Sequence, residues 1–153
     1  MSLDLKKQLI TQLVESSRFL RNYIDHRAKG RGTTRAQWIV LFRLREQEGL
    51  SQVDLADVLE LQPISLVRLL DRLVEHGLVE RRHDPRDRRA NRLFLTASGR
   101  QLVDDLDSVR DSIATDVLQD IPAPAIETSL KTLRVIKERI KSFTEPTGNV
   151  AAK

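Results

Sequence analysis

The spacing of apolar residues predicts helices along most of the 153-residue chain. Near the N-terminus, Leu9, Leu13, Leu20 and Ile24 recur at the intervals of an amphipathic helix. A similar apolar stripe runs from Ile126 towards the C-terminus. Cap and breaker residues set the ends. The predicted helices run from Leu3 to about Ala28, Arg35 to about Glu46, Ser51 to Leu59, Pro63 to His76, the Thr96–Gly99 cap to about Asp120, and about Ala125 to Phe143.

Two strands are predicted in the middle of the chain, at Leu78–Arg82 and Arg92–Leu95, around a polar tip that holds Asp84-Pro85. The two short helices before them are joined by a three-residue turn, Glu60–Gln62, which is typical of a helix-turn-helix. We therefore expect a mainly α fold, a winged helix-turn-helix with long flanking dimerisation helices. The expected parts are an N-terminal dimerisation helix in residues 1–32, a DNA-binding module in 33–95, C-terminal dimerisation helices in 96–145 and a flexible tail in 146–153.

The outer helices carry more apolar surface than the central module can cover. Their stripes include Leu9 and Leu13 at one end of the chain and Leu130, Leu133 and Ile140 at the other. Soluble proteins most often cover such faces with a second copy related by twofold symmetry. The sequence therefore predicts a homodimer.

Positive charge is concentrated in the predicted hairpin. The segment from Arg81 to Arg92 contains six arginines and two aspartates, a net of +4 that equals the net charge of the whole chain. Duplex DNA carries roughly one negative charge per 1.7 Å of its axis, so a projecting cluster of this kind suits double-stranded DNA. Arginine rather than lysine favours forked contacts and entry into a narrow minor groove.

The fourth helix is the expected recognition helix. Gln62, Ser65, Arg68 and Arg72 fall on its polar face, and Arg68 could bond both acceptors of a guanine in the major groove. The alternative is an ordinary solvated helix face. The residues expected on the opposite, buried side are Ile64, Leu66, Val67, Leu69, Leu70, Leu73 and Val74.

The hairpin is expected to act as a DNA-contacting wing. Arg88 is the candidate for insertion into the minor groove, and Asp87 beside it could orient its guanidinium by a charge-assisted bond. Arg86 and Arg89 would contact phosphates. The alternative is a hairpin that is merely basic and solvated.

Several function classes are excluded by composition. The chain has no cysteine, and its three histidines show no ligand spacing, so no metal site is expected. Aromatic residues form only 4% of the chain, which argues against stacking on single strands. No catalytic residue set or glycine-rich phosphate loop is visible, so we expect neither an enzyme nor a cofactor. Without an apolar run of about 18 residues or a signal-peptide core, we expect no membrane association and a cytoplasmic protein.

The central part of the chain resembles the MarR family of bacterial transcription regulators, and within it the SlyA branch. The resemblance covers about Arg18 to Arg100. It implies a winged-helix homodimer on a pseudo-palindromic operator. The residues that carry it are Gln62–Leu73, Gly77–Arg81, Asp84–Ala90 and Leu95-Thr96, with Ile24–Arg27 and Trp38 for the branch.

The resemblance also implies release from DNA by a small aromatic carboxylate or its coenzyme A thioester. The matching ligand-site positions are Arg18, Arg21, Trp38 and Phe42, and Phe42 replaces a histidine of the SlyA branch. From the residues alone, Trp38 could equally be core and both arginines surface groups. A regulator of this kind is expected to be a repressor. The rival is a ligand-independent architectural DNA-binding protein, or one controlled by a protein partner.

Overall fold

The computed structural model describes residues 2–144, except for the side chains of residues 88 and 89. The described part is mainly helical, with a single two-stranded antiparallel sheet. This confirms the predicted fold class. The predicted tail, 146–153, lies outside the described residues. The elements are α1 (Leu3–Lys29), α2 (Arg35–Glu46), α3 (Gln52–Leu59), α4 (Pro63–Glu75), β1 (Val79–Asp84), β2 (Asp87–Leu95), α5 (Ala97–Val117) and α6 (Ala123–Thr144).

Local cap chemistry sets the starts of the module's helices. The Thr34 hydroxyl accepts from the Gln37 backbone N–H, and the Gln37 side chain accepts from the Thr34 backbone N–H, which satisfies two free donors of α2. The Ser51 hydroxyl accepts from the Asp54 N–H at the start of α3. Pro63 occupies the first turn of α4, where its missing N–H removes no helical bond.

The hairpin Val79–Leu95, called the wing below, is longer than the sequence predicted. The expected strands ended at Arg82 and began at Arg92, whereas β1 reaches Asp84 and β2 begins at Asp87. Long charged side chains are compatible with a ladder whose polar groups reach solvent, so the arginines do not interrupt pairing. The register runs from Val79 opposite Leu95 to Asp84 opposite Asp87, with an irregularity at His83/Asp84.

A short segment before α3 also pairs with β2, which the sequence did not predict. The Gly49 N–H donates to the Leu93 carbonyl, and the Leu93 N–H donates to the Leu50 carbonyl, both at 2.9 Å. Gly49 has a positive φ of 83°, a conformation that glycine adopts without strain. The segment therefore ties the start of the helix-turn-helix to the base of the wing.

The core is formed by residues of α2, the helix-turn-helix, the wing and α5 as far as Ile113. Leu66, Leu70 and Leu73 bury one side of α4. Ile64 and Val67 were predicted on that side and are exposed instead, at 67% and 39%. The largest fully buried side chains are Leu41, Leu44, Leu55, Leu66, Leu70, Leu73, Leu93 and Leu106.

The start of α5 lies directly against Gly77 and Leu78, which lead from α4 into the wing. The Thr96 hydroxyl accepts from the Gly99 N–H and donates to the Gly77 carbonyl at 2.6 Å. The Thr96 N–H donates to the Leu78 carbonyl at 3.1 Å. Gly99 is buried at this contact. The capping role predicted for Thr96–Gly99 is thus confirmed, and it also joins two elements.

The C-terminal helix boundaries differ from the prediction. Helix α5 ends at Val117 rather than near Asp120, which has a positive φ of 62°. Helix α6 begins at Ala123, so Pro124 lies inside its first turn, where proline is tolerated, and does not precede it. Contacts divide the chain into two compact units, Met1–Ile113 and Ala114–Lys153. Within residues 2–144 we find no helix with the length and apolar character needed to cross a membrane.

Candidate nucleic-acid interface

The polar face of α4 is open to solvent. Gln62, Ser65, Arg68 and Arg72 are all exposed. The Gln62 side chain makes no bond to the helix that it caps, so its amide is not used there. Neither arginine of this face forms an ion pair with another residue in the described part of the chain. The four groups can therefore bond to a ligand without first breaking a bond within the protein.

The turn before α4 sets the orientation of this exposed face. Glu60 adopts the left-handed conformation at the end of α3, with a φ of 54°. The Glu60 N–H donates to the Asp57 carbonyl and the Leu61 N–H to the Ala56 carbonyl, so the turn is closed by backbone bonds. With Leu66 and Leu70 buried behind it, α4 presents its N-terminal residues on a rigid support.

The wing tip is held by Asp84. One carboxylate oxygen accepts from the Arg86 backbone N–H at 2.9 Å, and the other accepts from Arg92 Nε at 3.1 Å. The backbone bond from Arg86, and then the bond from Arg92, lower the pKa of Asp84 below its ordinary value. Because its carboxylate bonds both to the tip and to the opposite strand, Asp84 is a positioning residue that the sequence analysis assigned only to the turn.

Three of the six wing arginines form ion pairs with carboxylates of the chain. Arg81 donates to Gln52 at 2.9 Å and to Asp71 at 2.6 Å, which links β1 to both helices of the helix-turn-helix. Arg82 pairs with Glu80 and lies 4.1 Å from the centre of the Phe94 ring. With Arg92 on Asp84, three arginines have carboxylate partners within the protein.

The remaining wing candidates lie at and after the tip. The side chains of Arg86 and Asp87 are exposed. The side chains of Arg88 and Arg89, predicted to contact the minor groove and phosphates, lie outside the described part of the structure. Their backbone belongs to β2, so the two residues lie in a strand rather than in a loop.

The predicted ligand-site residues occupy two different environments. Trp38 is only 5% exposed, and its indole N–H donates to the Thr33 hydroxyl at 2.6 Å. Phe42 packs against it edge to face, with ring centres 6.5 Å apart. By contrast, Arg18 and Arg21 are exposed on α1, where Arg18 contacts Phe19 and Arg21 bonds to Ser17.

Two other arginines contact Phe42, and neither was predicted from the sequence. The guanidinium carbons of Arg45 and Arg110 lie 5.3 and 4.1 Å from the centre of the Phe42 ring. Arg45 also makes a forked bond to Asp107, which lowers the pKa of that carboxyl and raises the pKa of Arg45. The contact of Arg45 with Phe42 could have been predicted, because residues three positions apart are neighbours on a helix surface.

The model of the MarR family matches residues 33–90. The transcriptional regulator PA3341 is 30% identical, with 88% of this chain and 98% of that chain covered and a TM-score of 0.77. The chain belongs to the MarR family. A MarR-family regulator from Rhodococcus sp. RHA1 is 29% identical over 88% of this chain and 96% of its own, also with a TM-score of 0.77. A mutant MarR from E. coli, 24% identical over 89% and 99% of the two chains, has the same fold, with a TM-score of 0.77.

Members of the MarR family are transcriptional regulators, so this protein is a DNA-binding regulator and not an enzyme. The family match ends at residue 90, within β2, and so covers α2, α3, α4 and most of the wing. These are the elements that carry the exposed face of α4 and the Asp84 clamp. The SlyA branch stays a prediction.

Proposed function

We propose that this MarR-family protein is a homodimeric repressor that binds a pseudo-palindromic operator and is released by a small aromatic carboxylate or its coenzyme A thioester. The observation that carries the DNA-binding part is the exposed polar face of α4, with Arg68 and Arg72 free of ion pairs within the described residues. The structurally similar E. coli MarR was crystallised with operator DNA. That supports duplex DNA as the ligand proposed here.

In this proposal, each protomer places α4 in a major groove and its wing in the adjoining minor groove. Gln62, Ser65 and Arg68 face base edges, and Arg72 contacts the backbone. Arg88 enters the minor groove with Asp87 beside it, and Arg86 and Arg89 bind phosphates. Two recognition helices related by a twofold axis read half-sites about 34 Å apart, which is one helical turn of DNA.

Dimerisation is supported by the exposed apolar surface of the outer helices, each considered by itself. From Ser2 to Asn22, every residue of the α1 region except Leu13 is exposed. No residue of α6 is buried. A monomer rarely leaves so much apolar surface in contact with water, and a second copy is the simplest cover. The exposed apolar residues are Leu3, Leu5, Leu9, Ile10, Val14, Phe19 and Leu20 on α1, and Leu130, Leu133, Val135, Ile140 and Phe143 on α6.

The effector is proposed to bind near Trp38 and Phe42, with its carboxylate on Arg18 or Arg21. The edge-to-face aromatic pair offers an apolar wall for an aromatic ring, and Arg45 and Arg110 contact Phe42. The rival, a regulator without an effector, is favoured by the burial of Trp38 and by the internal bond of its indole N–H. Titration of salicylate, and of benzoyl coenzyme A, with emission from Trp38 separates the two.

The experiment for DNA binding is a comparison of Arg68→Ala with a matched surface arginine. An operator is first selected from random duplexes by repeated binding and amplification. Arg68→Ala should weaken operator binding by about 1–3 kcal/mol and random-duplex binding much less. Arg31→Ala removes the same charge from an exposed turn away from α4, and should leave the operator preference unchanged.

Two results would contradict this assignment. Equal losses on operator and random DNA would make Arg68 a phosphate contact. An unchanged affinity would remove α4 from the interface. Both titrations need a fixed salt concentration, because non-specific binding depends steeply on salt.

A further inference from the structure

Two apolar side chains lie on the part of α4 that the proposed function places against DNA. Ile64 is 67% exposed and Val67 is 39% exposed, whereas Leu66, Leu70 and Leu73 of the same helix are at most 1% exposed. Single exposed apolar residues are common on protein surfaces. What distinguishes Ile64 is its position beside Arg68 on the exposed face, and Val67 lies at the edge of that face.

Ile64 lies at the centre of the exposed face. At about 100° per residue, it is roughly 40° around the helix from Arg68 and roughly 60° from Val67. It is also the second residue of α4, in the turn that enters the groove deepest. A base edge approached by this turn therefore meets the Ile64 side chain between those of Arg68 and Val67.

The edges of base pairs offer one apolar group in the major groove, the C5-methyl group of thymine. Apart from small C–H groups such as the C5–H of cytosine, the other groups on these edges donate or accept a hydrogen bond. An isoleucine pressed against such a donor or acceptor would desolvate it without compensation. An exposed isoleucine at this position therefore selects for thymine and against the other bases.

From this placement we infer that Ile64, with Val67 beside it, reads a thymine methyl group in each operator half-site. The inference rests on the proposed function, because it requires α4 in the major groove. Ile64 and Arg68 are four residues apart, or about 6 Å along the helix axis. Base pairs are stacked about 3.4 Å apart. The thymine therefore lies within about two base pairs of the guanine that Arg68 contacts.

The test removes the methyl group from the DNA and the side chain from the protein. In the selected operator, each thymine is replaced in turn by deoxyuridine, which pairs identically but lacks the methyl group. At one thymine position of the half-site, wild-type protein should bind about fourfold more weakly when the thymine is replaced in one half-site. The loss should be about fifteenfold when it is replaced in both half-sites. That loss corresponds to about 0.8 kcal/mol for each buried methyl group.

Ile64→Ala should bind the thymine and uracil operators with affinities equal within about 1.5-fold. Ile64→Val, which keeps the branched shape, should retain part of the discrimination. Ile39→Ala is the matched control, because Ile39 is an exposed isoleucine of α2, 45% exposed, and this variant should discriminate like wild type. The circular dichroism of the Ile64 variants should match that of wild type, since so exposed a side chain contributes little to the core.

Discrimination that persists undiminished in Ile64→Ala would overturn the inference, because another group would then read the methyl. Operator binding by wild type without a thymine–uracil difference at any position would overturn it too, while leaving the proposed function intact. Failure of wild type to prefer any selected duplex would instead refute the proposed function. A change in oligomeric mass on Ile64→Ala, without thymine–uracil discrimination in wild type, would assign this surface to a protein partner and reject the inference.

Discussion

Gly99→Ala should destabilise the protein strongly, although alanine is the better helix former. Gly99 lies in the first turn of α5, against the backbone of Leu78. A Cβ at position 99 would overlap the Leu78 carbonyl oxygen and would lie 3.0 Å from its carbonyl carbon. Because the obstacle is backbone rather than a flexible side chain, α5 must move away from the wing by about an ångström or more.

The size of the effect follows from the bonds at this contact. Overpacking of this kind costs about 1–3 kcal/mol. The retreat also weakens the bonds from Thr96 to the Gly77 and Leu78 carbonyls, at about 1 kcal/mol each. Alanine in place of glycine within a helix returns about 1 kcal/mol. The net loss should be about 2–4 kcal/mol, or a fall in Tm of roughly 5–15 °C for a chain of this size.

Urea denaturation followed by circular dichroism measures this loss, at one fixed protein concentration because the proposed dimerisation would contribute to stability. Gly30→Ala is the matched control. Gly30 has a φ of −62°, and the nearest atom to its added Cβ would be the Arg27 carbonyl oxygen at 3.5 Å, an ordinary contact. This control should be neutral or slightly stabilising. If Gly99→Ala is as stable as Gly30→Ala, the close approach of α5 to the wing is not a constraint on the fold.

Three further predictions concern other parts of the molecule. Thr33→Val removes the acceptor of the buried Trp38 indole N–H and should lower the free energy of unfolding by about 1–3 kcal/mol. Tryptophan emission should shift, and an unchanged urea midpoint would contradict the prediction. Asp107→Asn should cost up to about 1 kcal/mol at pH 7, measured as a urea midpoint. Since Arg45 lowers the pKa of Asp107 in the folded protein, the stabilisation is complete above about pH 4 and is lost as the pH falls through the lowered pKa. The difference between Asp107→Asn and wild type should therefore close in acid, and a constant difference would refute the assigned pair. Deletion from Ala125 onward should give monomers or aggregates in light scattering, and a well-behaved dimer would place the interface elsewhere.

Helix positions were predictable from the sequence because their signals are local. Thr34, Ser51 and Pro63 act within one turn of where they stand, and each lies where a helix begins in the structure. The exception is the boundary between α5 and α6. There Pro124 was interpreted as a residue that precedes the helix. It lies in the first turn of α6 instead, a position where proline is tolerated.

The wing was predictable only in outline, because strand length depends on the partner strand. Its buried positions, Val79, Leu93 and Leu95, lie near the base, where the sequence placed the strands. Nearer the tip, β1 and β2 are paired by backbone hydrogen bonds, and the amino-acid composition of one strand does not show how far such pairing extends. For the same reason the pairing of Leu93 with Leu50 was missed.

The side-chain partners of the arginines could not be predicted, since they depend on distant residues. Arg81 bonds to Gln52, which is 29 positions away, and to Asp71 on another element. The exposed position of Ile64 was missed for a related reason. Apolar residues cover most of α4, so periodicity alone did not show which of them the core would cover.

If the wing contacts DNA as proposed, the carboxylate partners of three of its arginines have a thermodynamic consequence for binding. DNA releases condensed counterions in proportion to the number of phosphates that a protein neutralises, and log K falls with log salt by about 0.9 per phosphate. Arg81, Arg82 and Arg92 already face carboxylates, so each of these pairs adds little net charge to the interface. The entropy gained from released ions therefore follows the net charge of the wing rather than its six arginines. Under the proposed function, we therefore expect the affinity for DNA to be less sensitive to ionic strength than the number of wing arginines indicates.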